Sequence, residues 1–184
     1  AVIVFRCNEI IIHGMESVYG FNNFNLYPMT ISPSVKTIYI LTEPTNYMSV
    51  EWRLKACVEV LRELQTTLIS HFPRSVIGVR RGHQYDSMLQ IAHAKHVVST
   101  ASTFSFWPML CNTNGKLFFP VSRLIGGGDP HLFLAPNFLW LSYPDQLHFA
   151  KYRMHKNPQS LRKVIEDLKS VRPNTAITDV KTGG

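Results

Sequence analysis

The sequence predicts a three-layer α/β domain, in which helices cover both faces of a mostly parallel sheet. Two observations carry this prediction. Short apolar runs rich in β-branched residues recur along the chain, and such runs are typical of strands that are buried on both faces. Stretches with apolar residues at helical spacing lie between them, and this alternation indicates a doubly wound sheet. With 184 residues, of which 45% are hydrophobic, the chain has enough apolar surface for the core of one domain.

The elements follow one another in a regular order along the chain. Strands are expected at 1–5, 36–42, 75–79, 96–98, 117–119 and 138–141, and helices at 50–70, 86–95, 106–111 and 160–171. Ser49 and Asp86 are the expected N-caps of the first two helices. The polar and aromatic stretch 13–33 is interpreted as a loop or a short irregular helix. We expect residues 1–172 to form one domain and residues 173–184 to be a tail.

The composition excludes several classes of protein. No apolar run approaches the roughly 18 to 20 residues of a membrane span. The net charge of +7 favours anionic partners, but the basic residues are spread along the chain, so a nucleic-acid-associated domain ranks last among the functions considered. The chain lacks an initiator methionine and begins within a strand, and we therefore expect it to be part of a longer protein.

The three cysteines, Cys7, Cys57 and Cys111, lie far apart and lack the spacing of metal ligands. A zinc site is therefore not expected. Cys7 and Cys57 could form a bridge in a secreted protein, or they could be buried thiols, and we favour the second interpretation.

Polar side chains cluster where the predicted strands end. Arg6 and Glu9 follow the first strand, Arg80 and Arg81 follow the third, and the hydroxyl-rich run 99–103 follows the fourth. The carboxyl ends of parallel strands meet at one edge of a sheet, and ligands bind there. An arginine beside hydroxyls and a helix N-terminus is suited to a pyrophosphate. The competing explanations are a salt-bridged arginine at a strand end and ordinary N-capping by the hydroxyls.

Two segments carry a resemblance to a known family. The Arg-x-x-acid element that ends the first strand and the segment 96–108, His-Val-Val-Ser-Thr-Ala-Ser-Thr-Phe-Ser-Phe-Trp-Pro, resemble the donor half of the fucosyltransferase superfamily. The spacing of segments 5–9, 19–21 and 41–44 is most similar to that of uncharacterised eukaryotic members. The resemblance covers roughly residues 1 to 125.

The resemblance implies a C-terminal Rossmann-like domain, one half of a GT-B glycosyltransferase, that binds a GDP-sugar, GDP-fucose above all. Arg6 and Glu9 would be the catalytic residues, with Arg6 on the donor's diphosphate. Such enzymes are inverting and commonly independent of metal, so no metal and no cofactor beyond the donor is expected. The implied donor-binding residues are Arg6, Arg80, Ser99, Thr100, Ser102, Thr103 and Phe104.

The chain also departs from the family pattern. That pattern commonly has histidine two residues before the arginine and aspartate three residues after it, where this chain has Val4 and Glu9. Asn8 replaces a frequent glycine. These changes leave open a second function, that of a catalytically inactive domain that serves as a structural or interaction subunit.

A GT-B enzyme needs a second Rossmann-like domain that holds the acceptor. We therefore expect a missing N-terminal domain, on the same chain or on a partner protein, and a glycan or glycoprotein acceptor. From the resemblance alone, the protein would lie in the lumen of the Golgi or of the endoplasmic reticulum.

Overall fold

The computed structural model describes residues 1–7, 21–42, 51–120, 137–142, 158–170 and 176–178. Seven strands form one sheet in the order β3-β2-β1-β4-β5-β6-β7. They are β1 (Val2–Val4), β2 (Thr37–Leu41), β3 (Val76–Arg80), β4 (His96–Ser99), β5 (Lys116–Pro120), β6 (Phe138–Ser142) and β7 (Ala176–Thr178). The first six are parallel and β7 runs antiparallel to β6. The prediction of an α/β domain with a mostly parallel, Rossmann-like sheet is confirmed.

Helices cover both faces of this sheet. The described helices are α1 (Leu26–Thr30), α2 (Glu51–His71), α3 (Gln84–His93), α4 (Thr103–Leu110) and α5 (Pro158–Ser170). On one face, α1, α2 and α5 pack on alternate residues of β1 and β2, including Ile3 and Ile40. On the other face, α3 and α4 pack on the intervening residues, including Val4 and Leu41. Burial on both faces explains why these strands have near-continuous apolar sequences.

Two helices begin earlier than their sequences predict. Helix α3 begins at Gln84, and the side chain of His83 accepts a hydrogen bond from the Tyr85 N–H, so the expected cap, Asp86, lies inside the first turn. On this helix Leu89 is exposed to solvent, while Ile91 is fully buried. Helix α4 begins at Thr103 because the Ser102 side chain caps it.

The predicted tail is wrong for residues 176–178. These residues form β7, which pairs with β6 from Trp140 to Ser142. The tripeptide Ala-Ile-Thr is too short to show the alternation that marks a strand, whereas the backbone of β6 offers it a ladder of hydrogen bonds. None of the helices in the described ranges is long and apolar enough to cross a membrane.

A buried asparagine organises the turn between α4 and β5. The Asn112 side-chain amide donates to the carbonyl oxygens of Ile91 and Ala94, each at 2.8 Å. Its oxygen accepts from the N–H groups of Asn114 at 3.2 Å and Gly115 at 2.8 Å. A Cβ atom at Gly115 would collide with the Ala94 carbonyl oxygen, so only glycine fits there. This turn fixes the end of α3 against the start of β5.

Candidate functional site

The topological switch point of the sheet lies between β1 and β4. From β1, the chain fills the sheet outward through β2 and β3 on one side, and through β4, β5 and β6 on the other. Helices therefore leave these two neighbouring strands toward opposite faces, which opens a crevice outside their carboxyl ends, where α/β proteins bind ligands. Arg6 follows β1 and Thr100 follows β4, so both lie at this crevice.

The backbone at Arg6 is fixed on both sides by the neighbouring strands. The Phe5 N–H donates to the Leu41 carbonyl oxygen of β2 at 2.9 Å. The Arg6 N–H donates to the Thr100 hydroxyl at 3.3 Å, and the Thr100 N–H donates to the Val4 carbonyl oxygen at 3.0 Å. These bonds hold the arginine where β1 ends.

The Arg6 side chain lies beside the start of helix α4. Its guanidinium carbon is 5.4 Å from the centroid of the Phe104 ring, within the range of a cation–π contact. The helix N-terminus adds partial positive charge from its free N–H groups. None of the residues in the first turn of α4 is acidic. Together, the guanidinium and the helix start make a local positive potential suited to an anion.

A disulfide connects Cys7, the residue after Arg6, to Cys57 of helix α2, and the two Cα atoms are 5.8 Å apart. The preference for two buried thiols was therefore wrong. The spacing of 50 residues along the chain hides the pairing, because the fold alone brings the end of β1 against α2. Cys111 is exposed and free. The bridge supports the strand end that carries Arg6.

The hydroxyls that follow β4 have different surroundings. Ser99 is fully buried, and its hydroxyl lies 2.6 Å from the Thr100 carbonyl oxygen and 2.5 Å from the Ser105 hydroxyl. Thr100 is also fully buried, and its hydroxyl bonds to the backbone of β1. Ser102 is buried and caps α4 through a 3.2 Å bond from the Phe104 N–H. Of the four hydroxyls predicted to bind the donor, only that of Thr103 belongs to an exposed residue.

We expect replacement by alanine to change the free energy of unfolding much more at Ser102 than at Thr103. Ser102→Ala removes the helix cap and should lower the free energy of unfolding by about 1 kcal/mol. Thr103→Ala removes an exposed hydroxyl and should leave it unchanged within about 0.5 kcal/mol. Urea unfolding of the two variants beside the parent measures both values. Equal losses in the two variants would contradict the assignment of the cap to Ser102.

An asparagine from the stretch that was interpreted as a loop or a short irregular helix supports the same crevice. The Asn22 side chain is buried and donates to the Ser99 carbonyl oxygen at 2.9 Å. Its neighbour Phe21 stacks on Phe5, with ring centroids 5.4 Å apart. The only sequence signal was a cluster of asparagines, which a turn explains equally well.

Arg80 and Arg81 are not brought together with Arg6. Both are exposed residues at the end of β3, and β2 lies between β3 and β1, so their backbones are about 10 Å from the end of β1. The Arg80 guanidinium carbon lies 3.7 Å from the centroid of the Tyr39 ring on β2. Arg80 therefore covers the neighbouring strand rather than the crevice.

Aromatic rings often stack on sugars, and the tyrosines and tryptophans of this chain differ in exposure. Tyr27 is buried, and this burial raises its pKa, with a smaller opposing effect from the hydrogen bond with Asn22. Its phenol therefore stays protonated and inside the core. Trp52 is half-buried, whereas Trp107 on α4 is 63% exposed. Tyr19 and the predicted catalytic Glu9 lie outside the described residues.

At the crevice, the described residues present the positive charge of Arg6 and of the start of α4. Among the described residues, no group of three or more His, Cys, Asp or Glu side chains could hold a metal ion. Comparisons with family models, with curated proteins and with solved structures found no match to this chain. The fold is thus established by its topology, and the resemblance to fucosyltransferases stays a prediction.

Proposed function

We propose that this chain is the donor-binding domain of an inverting, fucosyltransferase-like glycosyltransferase, and that it binds a GDP-sugar at the switch point between β1 and β4. The observation that carries the proposal is the position of Arg6, which follows β1 and stacks on Phe104 at the start of α4. A diphosphate placed there would meet the guanidinium and the helix N-terminus at once.

In the proposed reaction, an acceptor hydroxyl attacks the anomeric carbon as the bond to the diphosphate breaks, and the hydroxyl loses its proton to water or to a carboxylate base. Negative charge then accumulates on the phosphate oxygens that leave. A guanidinium held in place before the reaction stabilises that charge without reorganisation. The backbone bonds to Arg6 and the disulfide at the next residue supply this fixed position.

The surroundings of the hydroxyls refine the proposed donor site. Ser99, Thr100 and Ser102 would shape the backbone of the crevice, because their hydroxyls are engaged inside the protein. Thr103 and the free N–H groups of the first turn of α4 would contact the phosphates. Arg80 would lie outside the donor site.

The disulfide also supports a location in an oxidising compartment, because structural bridges persist in secreted proteins and in the secretory lumen. This agrees with the lumen of the Golgi or of the endoplasmic reticulum, which the resemblance implies. In this proposal, a second Rossmann-like domain, on the same chain or a partner, would hold the glycan or glycoprotein acceptor.

The test is calorimetric titration of GDP and GDP-fucose into the disulfide-bonded chain, with UDP as the comparison. We expect both guanine nucleotides to bind and Arg6→Ala to weaken them about tenfold or more, because charge-assisted hydrogen bonds are lost. Arg80→Ala is the matched control and should keep the affinity within about twofold.

Two results would contradict the proposal. One is no saturable binding of GDP at millimolar concentration, and the other is equal weakening by the Arg6 and Arg80 substitutions. Equal affinity for UDP would contradict only the proposal that the base of the nucleotide is guanine.

The second candidate is a catalytically inactive domain that serves as a structural or interaction subunit. Two observations favour it: Val4 and Glu9 depart from the family pattern, and three of the four hydroxyls predicted to bind the donor are engaged internally. This candidate predicts no binding of GDP-fucose to a correctly folded, oxidised chain.

A further inference from the structure

A groove lies between helix α2 and strand β3, on the flank of the sheet away from β4. Its volume is about 450 Å³, and it is lined by Val58, Leu61, Arg62, Gln65, Val79 and Arg81. This volume falls within the range of roughly 300 to 1,000 Å³ that is usual for small-molecule sites.

The groove exists because β3 is the end strand of the sheet among the described strands. The inner face of α2 packs fully into the core, with Val60, Leu64 and Leu68 completely buried. Its outer flank overhangs β3, where no further described strand fills the space, so Val58 and Val79 stay only half-buried. The floor of the groove is therefore apolar and accessible.

Two arginines give the groove its charge. Arg62 comes from α2, Arg81 follows β3, and no acidic residue is among the described residues of the lining. Neither guanidinium makes an ion pair within the part of the chain that the structure describes. Glu63, the acidic residue next to Arg62, is paired with Lys169 of α5 instead.

Apolar walls lie beside two guanidinium groups that have no ion-pair partner among the described residues, and together they define the chemistry of a complementary ligand. An apolar body would cover the half-buried side chains of Val58 and Val79 and would remove their area from water. A carboxylate or a phosphate monoester could accept hydrogen bonds from both arginines, which carry the fork-shaped donor set such groups fit. A neutral apolar molecule would leave both charges unpaired beside it.

We infer that the groove between α2 and β3 is a second ligand site, which takes a small amphipathic anion with an apolar body and a carboxylate or phosphate group. Strand β2 separates this groove from the donor crevice at the end of β1. The inference therefore stands independently of the proposed function.

The test follows decanoate binding by amide NMR shifts on the disulfide-bonded chain, with decanol as the neutral probe of equal length. Saturable shifts confined to α2 and β3 are expected for decanoate and not for decanol. The double variant Arg62→Gln, Arg81→Gln should weaken decanoate about tenfold or more. Arg74→Gln, at an exposed arginine in the turn before β3, is the matched control and should leave the affinity unchanged.

Several results would overturn the inference. They are no saturable shifts at millimolar decanoate, equal shifts with decanol, or equal weakening in the double variant and the Arg74 control. Binding to phosphatidylglycerol vesicles without binding to monomeric decanoate would assign the two arginines to a surface contact instead. Decanoate shifts should persist when GDP is present in excess, and their loss would refute the separation of the two sites.

Discussion

Removing the disulfide between Cys7 and Cys57 should lower the free energy of unfolding by about 4 kcal/mol in the chain-entropy account of a 50-residue separation. The bridge restricts the unfolded chain, and it connects two residues that are buried in the folded one. The double variant is Cys7→Ala, Cys57→Ala. Alanine is used rather than serine, because a serine at these buried positions would add the free-energy cost of burying a hydroxyl. Chemical unfolding of the variant and of the parent, with and without a dithiol reductant, measures the effect.

Cys111→Ala provides the control, because this cysteine is free and exposed, and its unfolding curve should match that of the parent. The reductant should shift the unfolding curve of the parent toward that of the double variant, and it should leave the curve of the double variant unchanged. A double variant as stable as the parent would show that the bridge is not part of the native fold in solution.

The second large effect is expected at Asn112. Asn112→Ala removes four hydrogen bonds of the side-chain amide. They join it to the carbonyl oxygens of Ile91 and Ala94 and to the N–H groups of Asn114 and Gly115. The Ile91 carbonyl oxygen keeps a 3.4 Å bond from the Ala94 N–H. Each of the other groups left unpaired inside the protein costs about 1 to 3 kcal/mol, so the total loss should exceed about 3 kcal/mol. The measurement is the urea midpoint at constant slope.

Two further variants test whether the loss of stability comes from the hydrogen bonds of the Asn112 amide and not merely from shortening a side chain in this turn. Asn112→Asp keeps the acceptor for the two N–H groups but places a carboxylate against the two carbonyl oxygens, so it should also be destabilising. Asn114→Ala changes an exposed neighbour and should cost less than about 0.5 kcal/mol. A loss at Asn114 equal to that at Asn112 would refute the assigned network.

The order of strands and helices could be predicted because each buried strand had to be an uninterrupted apolar run. The same reasoning placed Arg6 and the run 99–103 at one edge of the sheet, and the structure brings them together. The helix starts were missed where the cap was unexpected, at His83, or where the capping serine had been assigned to a ligand, at Ser102.

Partners that depend on three-dimensional contact could not be predicted. A hydroxyl at a strand end has the same sequence signature whether it binds a ligand or, as at Ser99, a buried neighbour. The pairing of Cys7 with Cys57 and the reach of Asn22 to β4 also depend on contacts between distant segments. Arg80 and Arg6 were correctly predicted to lie at the same edge of the sheet. They are separated there because β2 lies between β3 and β1, and hydrophobic periodicity does not encode the order of the strands.

The last described helix, α5, packs against elements from the start of the chain. In α5, Val164, Ile165 and Leu168 pack into the same core as Ile3 and Phe5, and the Leu168 carbonyl oxygen accepts from the Phe24 N–H at 2.9 Å. During synthesis, α1 and α2 can cover part of this face of β1, but the cover is completed only after residues near 168 have left the ribosome. Until then the area that α5 covers exposes apolar surface, so we expect nascent chains that stop before α5 to recruit chaperones.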